Sequence, residues 1–392
     1  MPRRRATVLA VAASLGLAAC GSGPTPGGST PSPRPTAAAT ASASTTSSAS
    51  SPTAAACAVR PQSPPPGSIA ANFATAIAVA PDGRVFFAER GGMIRVWQDG
   101  AVHTFASVRT VTSEPGGGYS ERGLLGLALS PHFASDHLVF AFYSDADYAH
   151  QRVIRWVDCA GTARDARVIV TLPSGGDCCH KGGRLATGPD GKLYVTLGDE
   201  HSAGSAQDIG DLRGKVLRYN LDGSVPGDNP FNAGNPVWAY GLRNPFGIAI
   251  AASGQLAVDN NGPSGDAGSP GTGYDTVIVA VQRGGGYQWP LCYGYGHPLS
   301  SSSCGGHPDP DWSSESSTVV PTGMAFVDAS GPAPYAGHLV LCTLDRGMLV
   351  VTPGSPHASV ASGARQCLLD VKEGPDHALY YSDTGHIYRV AA

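Results

Sequence analysis

An all-β fold, a six-bladed β-propeller, is predicted for this chain from three observations. Six segments read alike: APDGRVFFAERGGMIRVW, SPHFASDHLVFAFYS, GPDGKLYVTLGD, AASGQLAVDNNGP, YAGHLVLCTLDRGMLVV and GPDHALYYSDTGHIYRV. Each is a turn, usually Pro-Asp-Gly-like, then alternating apolar and aromatic residues, then a small or acidic stop. That is the pattern of a turn feeding a strand with two different faces. The segments recur about 40 to 85 residues apart, the range of one four-stranded blade plus variable loops. Helical periodicity is scarce. Six such units close into a ring with only short strand edges, repetition that a β-sandwich would not need.

The ring is expected over residues 57–392, and two different segments precede it. Residues 1–19 read as a secretory signal: MPRRR is a positive start, Ala6 to Ala19 a short apolar run, and LAAC ends it. The run is too short for a spanning helix. A cysteine directly after small residues resembles the lipobox of bacterial lipoproteins, so cleavage and lipidation are expected at Cys20. Residues 20–56 are Cys20 followed by Ser, Thr, Ala, Pro and Gly with almost no charge. Such a stretch buries too little to offset its ordering entropy, and a flexible tether is expected. Together these features place the protein outside the cytoplasm, on the outer face of the membrane, touching lipid only through its anchor.

The net charge of −4 and the lack of a basic cluster beyond the signal argue against nucleic acid as a partner. Of nine cysteines, eight remain after Cys20: Cys57, Cys159, Cys178, Cys179, Cys292, Cys304, Cys342 and Cys367. An even set in an exported chain suggests disulfides. Cys292 with Cys304 would close a short loop, and Cys342 with Cys367 would join two strand-like runs. Spacing alone does not determine the pairing.

In a propeller the long loops gather at one end of the channel, here 198–215 and 260–321, so binding chemistry is sought there. In GGDCCHKGGRLATGPDGKLYVTLGDE, His180 precedes a strand and Asp199 follows it. A neutral imidazole takes protons near pH 7, and a carboxylate on its second nitrogen would orient it. A surface histidine and a turn aspartate would read the same way. Zinc is disfavoured, because adjacent cysteines splay apart, and Cys178 with Cys179 suits a vicinal disulfide or two distant bridges. In VWAYGLRNPFGIAI, Arg243 and Asn244 suit a planar, oxygen-rich ligand or a structural ion pair. In DNNGPSGD, Gly262 and Pro263 offer backbone carbonyls of the kind hard cations take, or an ordinary turn. Tyr287 and Trp289, in GGGYQWPLCYG, either cover a flat ligand or pack the channel mouth.

The motifs ERGLLGLALSPHF, HKGGRLATGPDGKLYVTLGD, GKVLRYNLDGSVPGDNPF, YGLRNPFGIAI, NNGPSGD and GGGYQWP occur in an order that resembles the glucose/sorbosone dehydrogenase family. The resemblance spans nearly all of residues 57–392. It implies a six-bladed propeller binding pyrroloquinoline quinone and calcium at its loop-rich end. It also implies oxidation of an aldose at its C1 hydroxyl to a lactone, with electrons passed on to an unknown acceptor. By the same resemblance, His180 matches the catalytic base, Asp199 its orienting acid, and Arg243 with Asn244 the pair at the quinone's reactive carbonyl. Gly262 and Pro263 match the carbonyls that hold calcium, a Lewis acid on the quinone oxygen. Glu121 stands at a pocket position that is glutamine in the glucose enzyme.

Three positions depart from the family. Asp345, in CTLDRG, falls where the family places a lysine, and Cys367 and Leu369, in RQCLLDVKEGPD, fall where it places two arginines. Pyrroloquinoline quinone carries three carboxylates, and each lost charge-assisted contact is worth about 1.5–3 kcal/mol. Arg346, Arg365 and Lys372 are the neighbouring cations that would have to compensate. The alternative implied by these losses is a non-catalytic propeller that binds a ligand or a partner protein.

Overall fold

The computed structural model describes residue 57 and residues 59–392, apart from 176–177, 300–302 and 355–356. The signal, Cys20 and the tether expected within residues 1–56 lie outside the described residues. The described chain forms six four-stranded antiparallel sheets plus a two-stranded ribbon, Cys292–Tyr293 with His297–Pro298. The innermost strands, in blade order, are Ala74–Val79, Leu124–Leu129, Leu185–Thr187, Ile248–Ile250, Pro321–Phe326 and Val371–Glu373. Each touches the next, and the last touches the first, so the six blades close a ring. The sixth blade takes its outer strand, Ser68–Ala70, from the other end of the chain, where it pairs antiparallel with His386–Val390. No helix among the described residues is long and apolar enough to cross a membrane.

Each repeated segment of the sequence supplies the turn from an innermost strand into the second strand of its blade. In four of them the fourth turn residue donates its N–H to the first residue's carbonyl: Gly83 to Ala80, Gly191 to Gly188, Gly254 to Ala251 and His377 to Gly374. That fourth residue lies at positive φ in every case, which glycine tolerates without a Cβ penalty. The alternating residues then bury one face against each neighbouring blade. Phe86, Phe133, Val139 and Trp156 join the first blade to the second, and Phe140, Phe142, Leu193 and Leu217 join the second to the third.

Polar staples set the blades against one another at the inner strands. Thr75 Oγ1 donates to Leu124 O at 2.6 Å, Thr322 Oγ1 to Leu368 O at 2.9 Å, and Ile77 N to Asp370 Oδ2 at 2.8 Å. Among the inner strands lies Arg184, buried. Its guanidinium donates to the carbonyls of Phe246 at 2.7 Å, Leu125 at 3.1 Å and Leu369 at 2.7 Å, and also to that of Thr75. With its own position just ahead of the third blade, Arg184 ties five of the six blades at the start of their inner strands. A cavity of about 650 Å³ opens beyond it, lined by the opposite ends of those strands.

Asp259, on the second strand of the fourth blade, accepts Phe246 N at 2.9 Å and Gly247 N at 2.6 Å while its other oxygen has no hydrogen bond. Burial pushes its carboxyl up to about 7, against the pull of those N–H groups and of Arg184. The folded chain therefore holds this proton more tightly than the unfolded chain, whose aspartates titrate near about 3.9. The stability it contributes is fully present below about pH 4 and is lost as pH rises through 7. Asp259→Asn is expected to flatten the fall in urea midpoint between pH 4 and 7. An unchanged slope would contradict the assignment.

Four disulfides occur among the described residues: Cys57–Cys159, Cys178–Cys179, Cys292–Cys304 and Cys342–Cys367. The two expected pairings are present, and the adjacent cysteines bond to each other.

Candidate active site

The loop-rich end of the channel gathers the residues that the sequence separates. His180 ends the crossing from the second blade to the third, and Asp199 follows the strand Lys192–Leu197. The two meet because the backbone of Gly198 passes directly under His180; a Cβ on Gly198 would lie 2.0 Å from the His180 carbonyl oxygen. His180 Nδ1 stands 2.6 Å from Asp199 Oδ1. Asp199 also accepts His201 N at 3.0 Å and Trp289 Nε1 at 2.7 Å. Two fixed N–H donors already converge on this buried carboxyl, and a carboxylate acceptor there pairs with a His180 tautomer protonated at Nδ1. Nε2 is then the lone-pair nitrogen, available to take a proton.

Arg243 lies beside this pair, just before the inner strand of the fourth blade. Its Nε and Nη2 grip Asp266 at 2.8 and 2.9 Å, and Nη1 donates to Asn261 O at 3.2 Å and Gly262 O at 2.5 Å. Burial alone would raise the Asp266 carboxyl, but the two-pronged guanidinium outweighs it and holds the group at about 2. The Arg243 guanidinium also stacks 5.6 Å above the Trp289 ring. Asn244 presents Oδ1 to Gly182 N at 3.1 Å and donates Nδ2 to Glu121 at 3.1 Å, and the same Glu121 oxygen accepts Lys181 N at 3.2 Å. One ligand atom each from His180, Asp199 and Asp266 falls within 4.8 Å of the others.

His180, Asp199, Arg243, Asn244, Glu121, Gly262, Pro263 and Trp289 are thus neighbours in space. Two readings narrow in detail. Of the two readings open for Trp289, ligand cover or packing at the channel mouth, the structure shows packing: the residue is buried and donates its indole N–H to Asp199. Tyr287, open to the same two readings, is a core residue of the blade interface rather than a cofactor contact, and its hydroxyl accepts Gln282 N at 3.1 Å. Asp266 was missed, although it closes the quoted DNNGPSGD segment; nothing in that turn signals that it would meet an arginine from another loop.

A group of chain similarities bears on this geometry. A family model described as Glucose / Sorbosone dehydrogenase matches residues 72–389. The chain belongs to the glucose/sorbosone dehydrogenase family. An aldose sugar dehydrogenase of Escherichia coli K12 is 28% identical over 331 residues, covering 78% of this chain and 85% of that protein. Quinoprotein glucose dehydrogenase B of Acinetobacter calcoaceticus is 30% identical over 250 residues, but the match spans 55% of this chain and only 49% of that protein's length. Among solved structures, a PQQ-bound aldose sugar dehydrogenase from Streptomyces coelicolor superposes with a TM-score of 0.66 at 25% identity, covering 82% of this chain and 94% of that one. The apo form of the soluble aldose sugar dehydrogenase from Escherichia coli does so at 0.66 and 27%, covering 82% and 97%. The six-bladed architecture agrees with these neighbours.

Within this family member, the three departures are now physical. Cys367 is buried in its disulfide with Cys342. Leu369 is buried, and its carbonyl serves Arg184. Asp345 is exposed beside Arg346, 3.9 Å away. Lys372 does not compensate, because its ammonium donates to Met324 O at 3.0 Å and sits beside Asp370, while the residue lines the cavity at the far end of the channel. Arg346 and Arg365 remain on the fifth-blade rim, where the Gly347 backbone packs against Arg365.

Donor chemistry tests the fit of the expected cofactors. Four of Arg243's five N–H groups and one of Asn244's two are engaged, which leaves each with a donor for a quinone oxygen. The donor chemistry left on these two residues is of the kind a quinone oxygen needs. The cavity behind Arg243 and Gly262, about 30 Å³, admits roughly one water. One of the two expected calcium ligands is already engaged. The Gly262 carbonyl is occupied by Arg243 Nη1, and a cation placed there would face the guanidinium's charge.

The Trp289 contact has a measurable consequence. Trp289→Phe keeps the packing but removes a hydrogen bond to a charged acceptor, worth about 1.5–3 kcal/mol. Turnover with a sugar is expected to fall about tenfold or more with the fold intact. Equal turnover would show that Asp199 needs no help from the indole.

Proposed function

We propose that this protein is an exported, quinone-dependent aldose dehydrogenase that oxidises the C1 hydroxyl of a sugar to the lactone. The observation that carries the reading is the buried His180–Asp199 pair with Nε2 left as acceptor, inside a propeller of the sugar-dehydrogenase family. His180 would take the hydroxyl proton at Nε2, and Asp199 would hold the ring and offset the charge that forms. Arg243 and Asn244 would orient the cofactor through their remaining N–H groups. Pyrroloquinoline quinone, when bound, supplies the two-electron acceptor for the hydride. Arg346 and Arg365 are the cations left to meet its carboxylates.

Four disulfides favour an oxidising compartment, in keeping with the signal and lipidated Cys20 expected in the sequence. The non-catalytic alternative draws on the lost cations alone and explains neither the His180–Asp199 geometry nor its burial.

The test is to incubate the protein with pyrroloquinoline quinone and follow both its melting temperature and dye reduction across a panel of aldoses. A raised melting temperature with sugar-dependent reduction is expected. No shift and no reduction with any aldose would overturn the reading in favour of the binding propeller.

A further inference from the structure

Directly beside the His180–Asp199 pair, and with the same sequence separation of 19, runs a second pair that the proposed chemistry does not use. Lys181 Nζ stands 3.0 Å from Glu200 Oε1, and both side chains are wholly buried, at 0% exposure. Their remaining valences are filled from the second blade and the loop that carries His180. Lys181 Nζ also reaches Gly175 O at 3.3 Å and Ser174 Oγ at 3.4 Å. Glu200 Oε1 accepts Gln151 Nε2 at 2.8 Å, and Oε2 accepts Gly175 N. A Cβ on Gly175 would lie 2.8 Å from that oxygen, so only glycine lets the loop come this close.

A buried ion pair is not a device for stability. Its desolvation cost cancels much of the Coulomb gain, and apolar residues of equal volume often serve as well or better. What it supplies is a fixed geometry, because each charge requires its partner at one place. That requirement matters here because the backbone around the neighbouring pair is strained. His180 has φ 56, Glu200 φ 49 and His201 φ 59, all in the left-handed region that non-glycine residues seldom adopt. Such conformations persist only where the surroundings over-determine them. Burial pushes the Lys181 ammonium down, with Glu200 opposing the shift.

We propose that Lys181 and Glu200 are positioning residues: their buried ion pair clamps the backbone at both ends of the His180–Asp199 hydrogen bond and so sets the orientation of the imidazole. Neither touches the reacting atoms. Lys181 fixes the residue after the base, Glu200 the residue after the acid, and Gln151 with Gly175 anchors both to the second blade. The proposal rests on the assignment of His180 as the base, and it is separable from it, because the hydrogen bond can be read without sugar or quinone.

The test uses the full chain carrying Lys181→Met with Glu200→Gln, which removes both charges at nearly constant volume. The readout is the downfield proton resonance of His180 Nδ1–H, identified by its loss in His180→Ala. Expected is a cooperative melting transition together with a resonance that moves upfield or broadens into solvent exchange. Where the wild type oxidises sugar, turnover is expected to fall about tenfold or more, with KM changed less than about twofold. Gln151→Leu, which takes one donor from Glu200 and one from the Lys181 carbonyl but leaves both charges paired, is expected to move the resonance the same way by less. An unmoved resonance in both variants overturns the proposal. So does a double variant that fails to fold while Gln151→Leu leaves the resonance in place, since the pair would then serve folding alone. A resonance that moves in the variants of a chain whose wild type oxidises no aldose would leave the clamp standing and sink the dehydrogenase reading instead.

Discussion

His180→Ala is expected to lower sugar oxidation by two to four orders of magnitude while leaving the melting temperature and quinone binding nearly unchanged. The magnitude is that of a positioned general base, roughly 10²- to 10⁴-fold. The physical reason is local. Asp199 receives N–H donors from His201 and Trp289 in addition to the imidazole, so it stays solvated by the protein when the ring is removed. Arg243 keeps Asp266, and the remaining N–H groups of Arg243 and Asn244 are untouched. The loss therefore falls on the proton transfer and not on assembly of the site. His180→Gln, which retains a polar side chain without a basic nitrogen, should be as inactive as alanine. Undiminished activity in either variant would remove His180 from the role of base.

Arg184→Met is expected to destabilise the fold by about 1–3 kcal/mol for each buried carbonyl left without a donor, read as a lowered urea midpoint at constant slope. Methionine fills much of the volume but leaves the carbonyls of Thr75, Leu125, Phe246 and Leu369 without their donor. It also leaves Asp259 and Asp370 without the buried cation that both feel. Arg184→Lys should recover only part of the loss, since an ammonium cannot present the guanidinium's fork to four carbonyls from separate blades. A change below about 1 kcal/mol in Arg184→Met would mean that the blades hold one another through their apolar faces alone.

The contrast between these two residues shows what the sequence made legible. The blades were readable because each repeats a local rule: a turn with one residue at positive φ, then two-residue alternation. His180 and Asp199 were readable as candidates because they bracket one such unit. Arg184 sits four residues beyond His180 in the same motif, yet nothing local announces that it lies among the inner strands, since its partners come from positions 75, 125, 246 and 369. Trp289 was noticed, but its indole N–H finds Asp199 across 90 residues. Lys181 and Glu200 look like ordinary surface charges until the second blade closes over them. The Cys342–Cys367 bridge, expected to join two strand-like runs, ties the strand Leu339–Thr343 to the loop that precedes Val371–Glu373. Contacts made within one turn and strand could be anticipated; contacts made by closing the ring could not.

The central claim is that a sugar's C1 hydroxyl meets His180 while its C1 hydrogen leaves as hydride. It is tested most directly by a single-turnover measurement on the quinone-loaded protein with an aldose carrying deuterium at C1. The expected result is aldose-dependent bleaching of the quinone absorbance that slows severalfold with the labelled sugar and is abolished in His180→Ala. Bound quinone whose absorbance no aldose changes, or a rate indifferent to both the deuterium and His180, would contradict it.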